Sequence, residues 1–366
     1  MAVLLCSSCS HVYSSDQVIW RCECGGVLNL HDLPTLKKDQ LDTSAYGLWR
    51  YRCTFPLKNN SEAITLGEMR TPLIPFSIEK RTILLKLDYL FPSGSFKDRG
   101  SSIMISKVKE LGIEHVIEDS SGNAGASISA YCARAGISCD IYIPSTTSPA
   151  KIKQIEATGA QLIQVPSSRE ETAKAALKAA STAYYASHVW NPYFFQGTKT
   201  CAFEIVETLN WSSPKRIVVP VGNGTLLLGL FLGFSELVSA GIIPHLPRLV
   251  AVQSAHCSPL VDAYVQHSRS PMMIQKQPTL AEGIAVAEPL RGSQILAAIH
   301  RCRGEMIQVS ELEIKEAFEE LAAEGIYVEP TAAVAVAGYR KLCLKEQSNE
   351  STVIILTGHG LKSVTM

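Results

Sequence analysis

Lys97 stands in Ser93-Gly94-Ser95-Phe96-Lys97-Asp98-Arg99-Gly100, between two segments of different periodicity. Residues 82–88, Thr-Ile-Leu-Leu-Lys-Leu-Asp, read as a buried strand, and Ile103, Ile105, Val108 and Leu111 are spaced as on a helix over 101–111. Gly94 and Ser95 make the turn, and the helix begins at Lys97. A lysine at the positive end of a helix dipole, beside Phe96 and apolar neighbours, tends to lose its proton. Neutral lysine is a nucleophile able to form a Schiff base with a carbonyl. The plain alternative is a solvated lysine in a first helical turn, and the rest of the chain bears on the choice.

Three further stretches offer matching chemistry. Ser120-Ser121-Gly122-Asn123-Ala124-Gly125-Ala126-Ser127 lies at a strand-to-helix turn, where small residues let a carboxylate or a planar ligand approach backbone N–H groups. Asn123 is able to donate to a phenolate oxygen. Val219-Pro220-Val221-Gly222-Asn223-Gly224-Thr225 joins a strand to a helix that starts at Leu226, the arrangement of a phosphate cradle. Thr357, in Leu356-Thr357-Gly358-His359-Gly360, ends the last strand, and ligands of doubly wound sheets sit beyond strand carboxyl ends. Taken singly, these are equally a helix N-cap, a plain turn and a C-terminal turn. Together they supply a Schiff-base partner, a phosphate site, an amide and a hydroxyl, the set that pyridoxal 5'-phosphate requires.

The elements that must position these groups alternate. Strands are expected over 115–119, 139–144, 161–165, 216–221, 249–253 and 352–357. Helices are expected over 122–135, 149–158, 169–184, 199–209, 310–324 and 331–342. Such alternation predicts parallel sheets covered on both faces, an α/β protein of two doubly wound three-layer domains. At the N-terminus, Cys6-Ser-Ser-Cys9 and Cys22-Glu-Cys24-Gly-Gly are two cysteine pairs that can present four thiolates to zinc. The alternative is four reduced cysteines without a metal. The expected division is a zinc-ribbon-like segment over 1–30, a large cofactor-binding domain over 31–111 with 190–366, and a small α/β domain over 112–189.

Lys+Arg and Asp+Glu number 34 each, so no global charge favours nucleic acid or an anionic membrane as partner. The most apolar stretch, residues 224–234, is half a membrane span and is broken by glycines, and the first five residues are too short for a signal-peptide core. Eleven cysteines, an odd number and mostly scattered, suit a reducing cytosol.

In this order and over nearly the whole chain, these motifs resemble the threonine synthases among the tryptophan-synthase-β-like (fold type II) pyridoxal phosphate enzymes. Leu48-Trp49-Arg50-Tyr51, Asn191-Pro192 and Gly197-Thr-Lys-Thr-Cys-Ala-Phe-Glu204 belong to the same resemblance. It implies that Lys97 carries the cofactor, Phe96 and Asn123 also bind it, with Asn123 at its phenolate oxygen, Gly222, Asn223, Gly224, Thr225 and Leu226 hold its phosphate, and Thr357 meets the ring nitrogen. It also implies a homodimer.

The sequence departs from that family around the substrate. An arginine that helps bind the phosphate of O-phosphohomoserine usually stands two residues after the Asn-Pro pair; here the position is Phe194. The usual Asn-Ser upstream is His188-Val189, and Gly67-Glu-Met69-Arg70-Thr-Pro72 offers Arg70 as a compensating cation. Residues 279–286 and 328–331 look closer to serine/threonine dehydratases. The expected substrate residues are therefore Ser120, Ser121, Gly122, Ala124, His188, Phe194 and Arg70. The expected activity is β- or γ-elimination or replacement on a small amino acid, including a phospho-ester such as O-phosphohomoserine. The alternatives are a dehydratase-type ammonia lyase and a non-catalytic amino-acid-binding or structural paralogue.

Overall fold

A computed structural model describes residues 2–145, 147, 149–166, 169–345 and 349–362. Its contacts form two compact units, Met1–Met69 with Lys97–Thr198, and Arg70–Phe96 with Lys199–Met366. The first unit thus takes the Lys97–Glu110 helix, which the sequence reading joins to the C-terminal part, because this helix packs on the Asn123–Ala135 and Pro192–Thr198 helices.

The first unit has two sheets. A small antiparallel sheet orders Val12–Ser14, Val3–Cys6 and Leu28–His31. A four-stranded parallel sheet orders Gln161–Val165, Ser138–Pro144, His115–Glu118 and Tyr184–Tyr185. The Asn123–Ala135 helix stops at Gly136, whose φ of 67° allows the left-handed cap that closes the last turn. Met104, Ile105, Ile117, Ile128, Tyr131 and Ile141 form its buried centre.

The helix expected to reach Tyr184 ends at Ala179. Ser181 Oγ and Thr182 Oγ1 bond back to the carbonyls of Lys178 and Ala179, which ends the helix. The two following tyrosines are buried and join the sheet beside Val116 and Ile117, where aromatic side chains suit a pleated surface.

The second unit has one six-stranded sheet in the order Glu305–Val309, Arg248–Ser254, Arg216–Pro220, Thr352–Leu356, Arg81–Leu87 and Leu73–Ile78. All neighbours are parallel except the last pair, so the expected parallel sheet carries one antiparallel edge. Pro75 is tolerated in that strand because an edge need not donate from both sides. Arg216–Pro220 and Thr352–Leu356 are buried at every position, as expected of central parallel strands. The Glu311–Ala323 helix starts on a capping box in which Ser310 and Glu313 satisfy each other's backbone N–H. Among the described residues, no helix is long and apolar enough to cross a membrane.

Candidate active site

In the first unit, Lys97 is the first residue of the Lys97–Glu110 helix. Its Nζ stands 5.8 Å from the centre of the Phe194 ring. The helix is tied to its neighbour through Ser127 Oγ, 2.6 Å from Asp98 Oδ1 and 2.7 Å from Ser101 Oγ. Asn123 opens the Asn123–Ala135 helix, which has no side-chain cap at Gly122. Ser120 is buried while Ser121, Gly122 and Asn123 are half-exposed, so this helix start is accessible. Gly125 lets the turn close: a Cβ there would lie 1.8 Å from the Ser120 carbonyl oxygen.

His188 and Phe194 are both buried, with ring centres 5.9 Å apart at 66°. His188 Nδ1 lies 2.7 Å from Oε1 of the fully buried Glu118. Burial, then the charges of Lys97 and Arg169, push the His188 imidazole well below its ordinary pKa. Burial and the neighbouring Asp119 push the Glu118 carboxyl well above its own, against the pull of Arg169 and Lys97. Glu118 was not singled out from the sequence. Its one signal is a carboxylate closing an otherwise apolar run, Val116-Ile117-Glu118, ahead of the small-residue turn.

In the second unit, Gly222, Asn223 and Gly224 lead into the Thr225–Ser239 helix, fifteen residues long and without a side-chain cap. Gly224 has φ 71°, and a Cβ on it would fall 2.3 Å from Ile295 Cδ1; one on Gly222 would fall 2.8 Å from Ile284 Cα. Both positions therefore require glycine, and the uncapped helix start behind them is of the kind whose free N–H groups bind a phosphate. Thr225 and Leu226 are buried in its first turn. Thr357 is buried, and its carbonyl accepts from the Phe96 N–H at 3.0 Å. Ser95 pairs with Gly358 next to it, and Ser95 Oγ is buried with no hydrogen-bond partner. Arg70, the candidate compensating cation, forms an ion pair with Glu207 at 2.9 Å.

Within the second unit, an uncapped helix start behind two obligatory glycines and an orphaned buried hydroxyl are donors that fit the phosphate of pyridoxal phosphate; within the first, the accessible helix start at Asn123 fits an amino-acid carboxylate. The cysteine pairs also converge. The Sγ atoms of Cys6, Cys9, Cys22 and Cys24 lie within 4.8 Å of one another, and Cys6–Cys24 and Cys9–Cys22 are each 3.5 Å apart. A zinc–sulfur distance of about 2.3 Å gives a tetrahedral edge of about 3.8 Å, so the four thiols fit zinc. Burial raises the Cys6 pKa, but the backbone at Cys9 and Ser8 and the thiols of Cys24 and Cys22 outweigh it and bring it to about 6.

The sequence model of the pyridoxal-phosphate dependent enzymes matches residues 64–358, and the chain belongs to that family. Within it, the chain is a lyase of the threonine synthase-like group, built on fold type II. It is 35% identical over 373 residues to the threonine synthase of Methanocaldococcus jannaschii, with 98% of this chain and 92% of that one covered. It is 35% identical over 322 residues to the threonine synthase of Synechocystis, covering 85% and 82%. Among solved structures, maize serine racemase matches with a TM-score of 0.70 at 21% identity over 80% of this chain and 88% of that one. A fungal L-serine ammonia-lyase from Rhizomucor miehei matches at 0.69 and 22%, covering 80% and 94%. At those identities the structures speak for the fold alone.

Proposed function

We propose that the chain eliminates or replaces an oxygen substituent on the side chain of a small amino acid, with a phospho-ester such as O-phosphohomoserine as its first candidate substrate. Similarity to threonine synthases along nearly the whole length supports the substrate class. The observation that carries the reading is Lys97 at a helix start, beside the buried ring of Phe194. Pyridoxal phosphate, when bound, supplies an electron sink for the charge left at Cα.

The chain's own groups divide the remaining work. Lys97 Nζ holds the cofactor and takes the Cα proton as general base. The N–H groups at residues 121–124 bind the substrate carboxylate, and Asn123 donates to the phenolate oxygen of the cofactor. The turn at 222–226 holds the phosphate, and Thr357 meets the ring nitrogen. A neutral hydroxyl there does not enforce ring protonation, which favours loss of a leaving group over transamination. The four cysteines hold a structural zinc, since four protein ligands leave no open position. We further infer a cytoplasmic homodimer, in keeping with the family resemblance and eleven free cysteines.

A second reading, ammonia loss from a hydroxy amino acid, is favoured by one observation: Phe194 and His188 are buried where phosphate recognition calls for a cation. A panel of amino acids and their phosphate esters separates the two. Phosphate release from O-phosphohomoserine supports the first reading, a keto acid from serine or threonine supports the second, and no product from any of them contradicts both.

A further inference from the structure

Lys97 and His188 flank one aromatic side chain. The Phe194 ring centre is 5.8 Å from Lys97 Nζ and 5.9 Å from the His188 ring centre. Behind His188, Glu118 is fully buried and gives Oε1 to Nδ1 at 2.7 Å, while its Oε2 is buried with no hydrogen-bond partner. Among the described residues, no hydrogen bond is made by His188 Nε2. Resting on the second reading above, ammonia loss from a hydroxy amino acid, we propose that His188, backed by Glu118, donates the proton to the leaving oxygen of the substrate side chain.

The surroundings favour one protonation state. The charged and titratable groups around the pair are Lys97, Asp119, Arg169, Cys139 and Tyr185. Asp119 is engaged by the Tyr185 hydroxyl at 2.7 Å and by Arg169 at 3.2 Å. In the proposed arrangement the Glu118 carboxyl is the donor across the 2.7 Å contact and Nδ1 the acceptor, the direction toward neutral forms in which burial moves both groups. That bond fixes the imidazole tautomer with its remaining hydrogen on Nε2. In β-elimination from a hydroxy amino acid, Lys97 Nζ takes the Cα proton and the Cα–H electron pair becomes the Cα–Cβ double bond. The C–O pair leaves on oxygen, which takes the Nε2 proton and departs as water. The Glu118 proton passes to Nδ1, so the chain ends with one proton gained at Lys97 and one lost at Glu118. Hydroxide leaves poorly without such a donor, whereas phosphate leaves without one, so the pair specifies a hydroxyl-bearing substrate class.

Infrared difference spectra of the cofactor-loaded protein against Glu118→Gln at neutral pH test the resting state without relying on turnover. A protonated carboxylic-acid carbonyl stretch that Glu118→Gln removes is expected; an ionised carboxylate at 118 overturns the proposal. The second arm compares substrates in His188→Gln, which keeps an N–H donor but no relay. Turnover of serine or threonine should fall about 10²–10⁴-fold, the usual worth of a positioned acid, and any turnover of the phosphate esters less than about tenfold. Equal losses on both classes, with Schiff-base absorbance intact, reduce His188 to a structural residue and overturn this proposal alone. Absence of Schiff-base absorbance overturns the proposed function and this inference with it. Should His188→Gln fail to fold, Glu118→Gln carries the same substrate comparison.

Discussion

The ring of Phe194 lies flat against the backbone of Gly100: a Cβ built on Gly100 would stand 2.5 Å from three of its carbons. The first turn of the helix that begins at Lys97 is thereby seated on a fully buried aromatic ring. A larger residue at 100 forces the ring or the helix to shift. Gly100→Ala should therefore destabilise the protein by about 1–3 kcal/mol despite alanine's better helix propensity. Urea unfolding measures this, and pairing Gly100→Ala with Phe194→Leu should recover part of the loss. A neutral or stabilising Gly100→Ala would contradict the contact.

In the second unit, Lys86 Nζ donates to Glu204 Oε2 and to the Thr71 carbonyl, each at 2.7 Å, with both charged side chains fully buried. Removing one partner leaves the other charge in a low-dielectric interior. Lys86→Met should cost about 3–5 kcal/mol, while the double change Lys86→Met with Glu204→Leu should cost much less. Denaturation of the single and double variants gives the coupling directly, and additive losses would mean that the pair is not a unit.

Acid should destabilise the first unit through the carboxyls gathered around Lys107. Burial alone would raise the Glu110 carboxyl, but hydrogen bonds from Lys107, Ser61 and the Lys58 N–H outweigh it and hold it below the ordinary range. Asp16 is lowered by the same Lys107. A carboxyl whose folded pKa is depressed binds fewer protons folded than unfolded. Its contribution is present above the unfolded value of about 4.3 and is lost as pH falls through the folded one. Stability measured from pH 7 to pH 3 should decline, and Glu110→Gln should flatten part of that slope.

Elemental analysis of protein purified without chelator should give one zinc per chain, bound by Cys6, Cys9, Cys22 and Cys24. Cys22→Ser should lose most of the metal and lower the melting temperature. Because the ligands are structural, Schiff-base formation at Lys97 should persist in that variant. Metal retained in a quadruple serine variant would place zinc elsewhere.

What could be read from sequence follows physical lines. Lys97 and the turn at Gly222 and Gly224 are local motifs, with their chemistry and their turn geometry carried by adjacent residues. Fully buried strands such as Thr352–Leu356 announce themselves as apolar runs. Leu73–Ile78 does not, because Pro75 breaks the run near its middle, which only an edge strand tolerates. The Gly292–Arg301 helix opens on Gly292 without a side-chain cap, packed close to Pro271, so its start carries no local signal. His188 was expected at the substrate, but its bond to Glu118 spans 70 residues and is made only when the parallel sheet forms. Arg70 likewise carried no hint of Glu207 as its partner.

The central claim is that Lys97 carries pyridoxal phosphate. Borohydride reduction of the loaded protein, followed by peptide mass mapping, tests it most directly. The account predicts one phosphopyridoxyl group, on the peptide containing Lys97, and none in Lys97→Ala. Labelling of another lysine in its place, or no cofactor absorbance after incubation with pyridoxal phosphate, would contradict it.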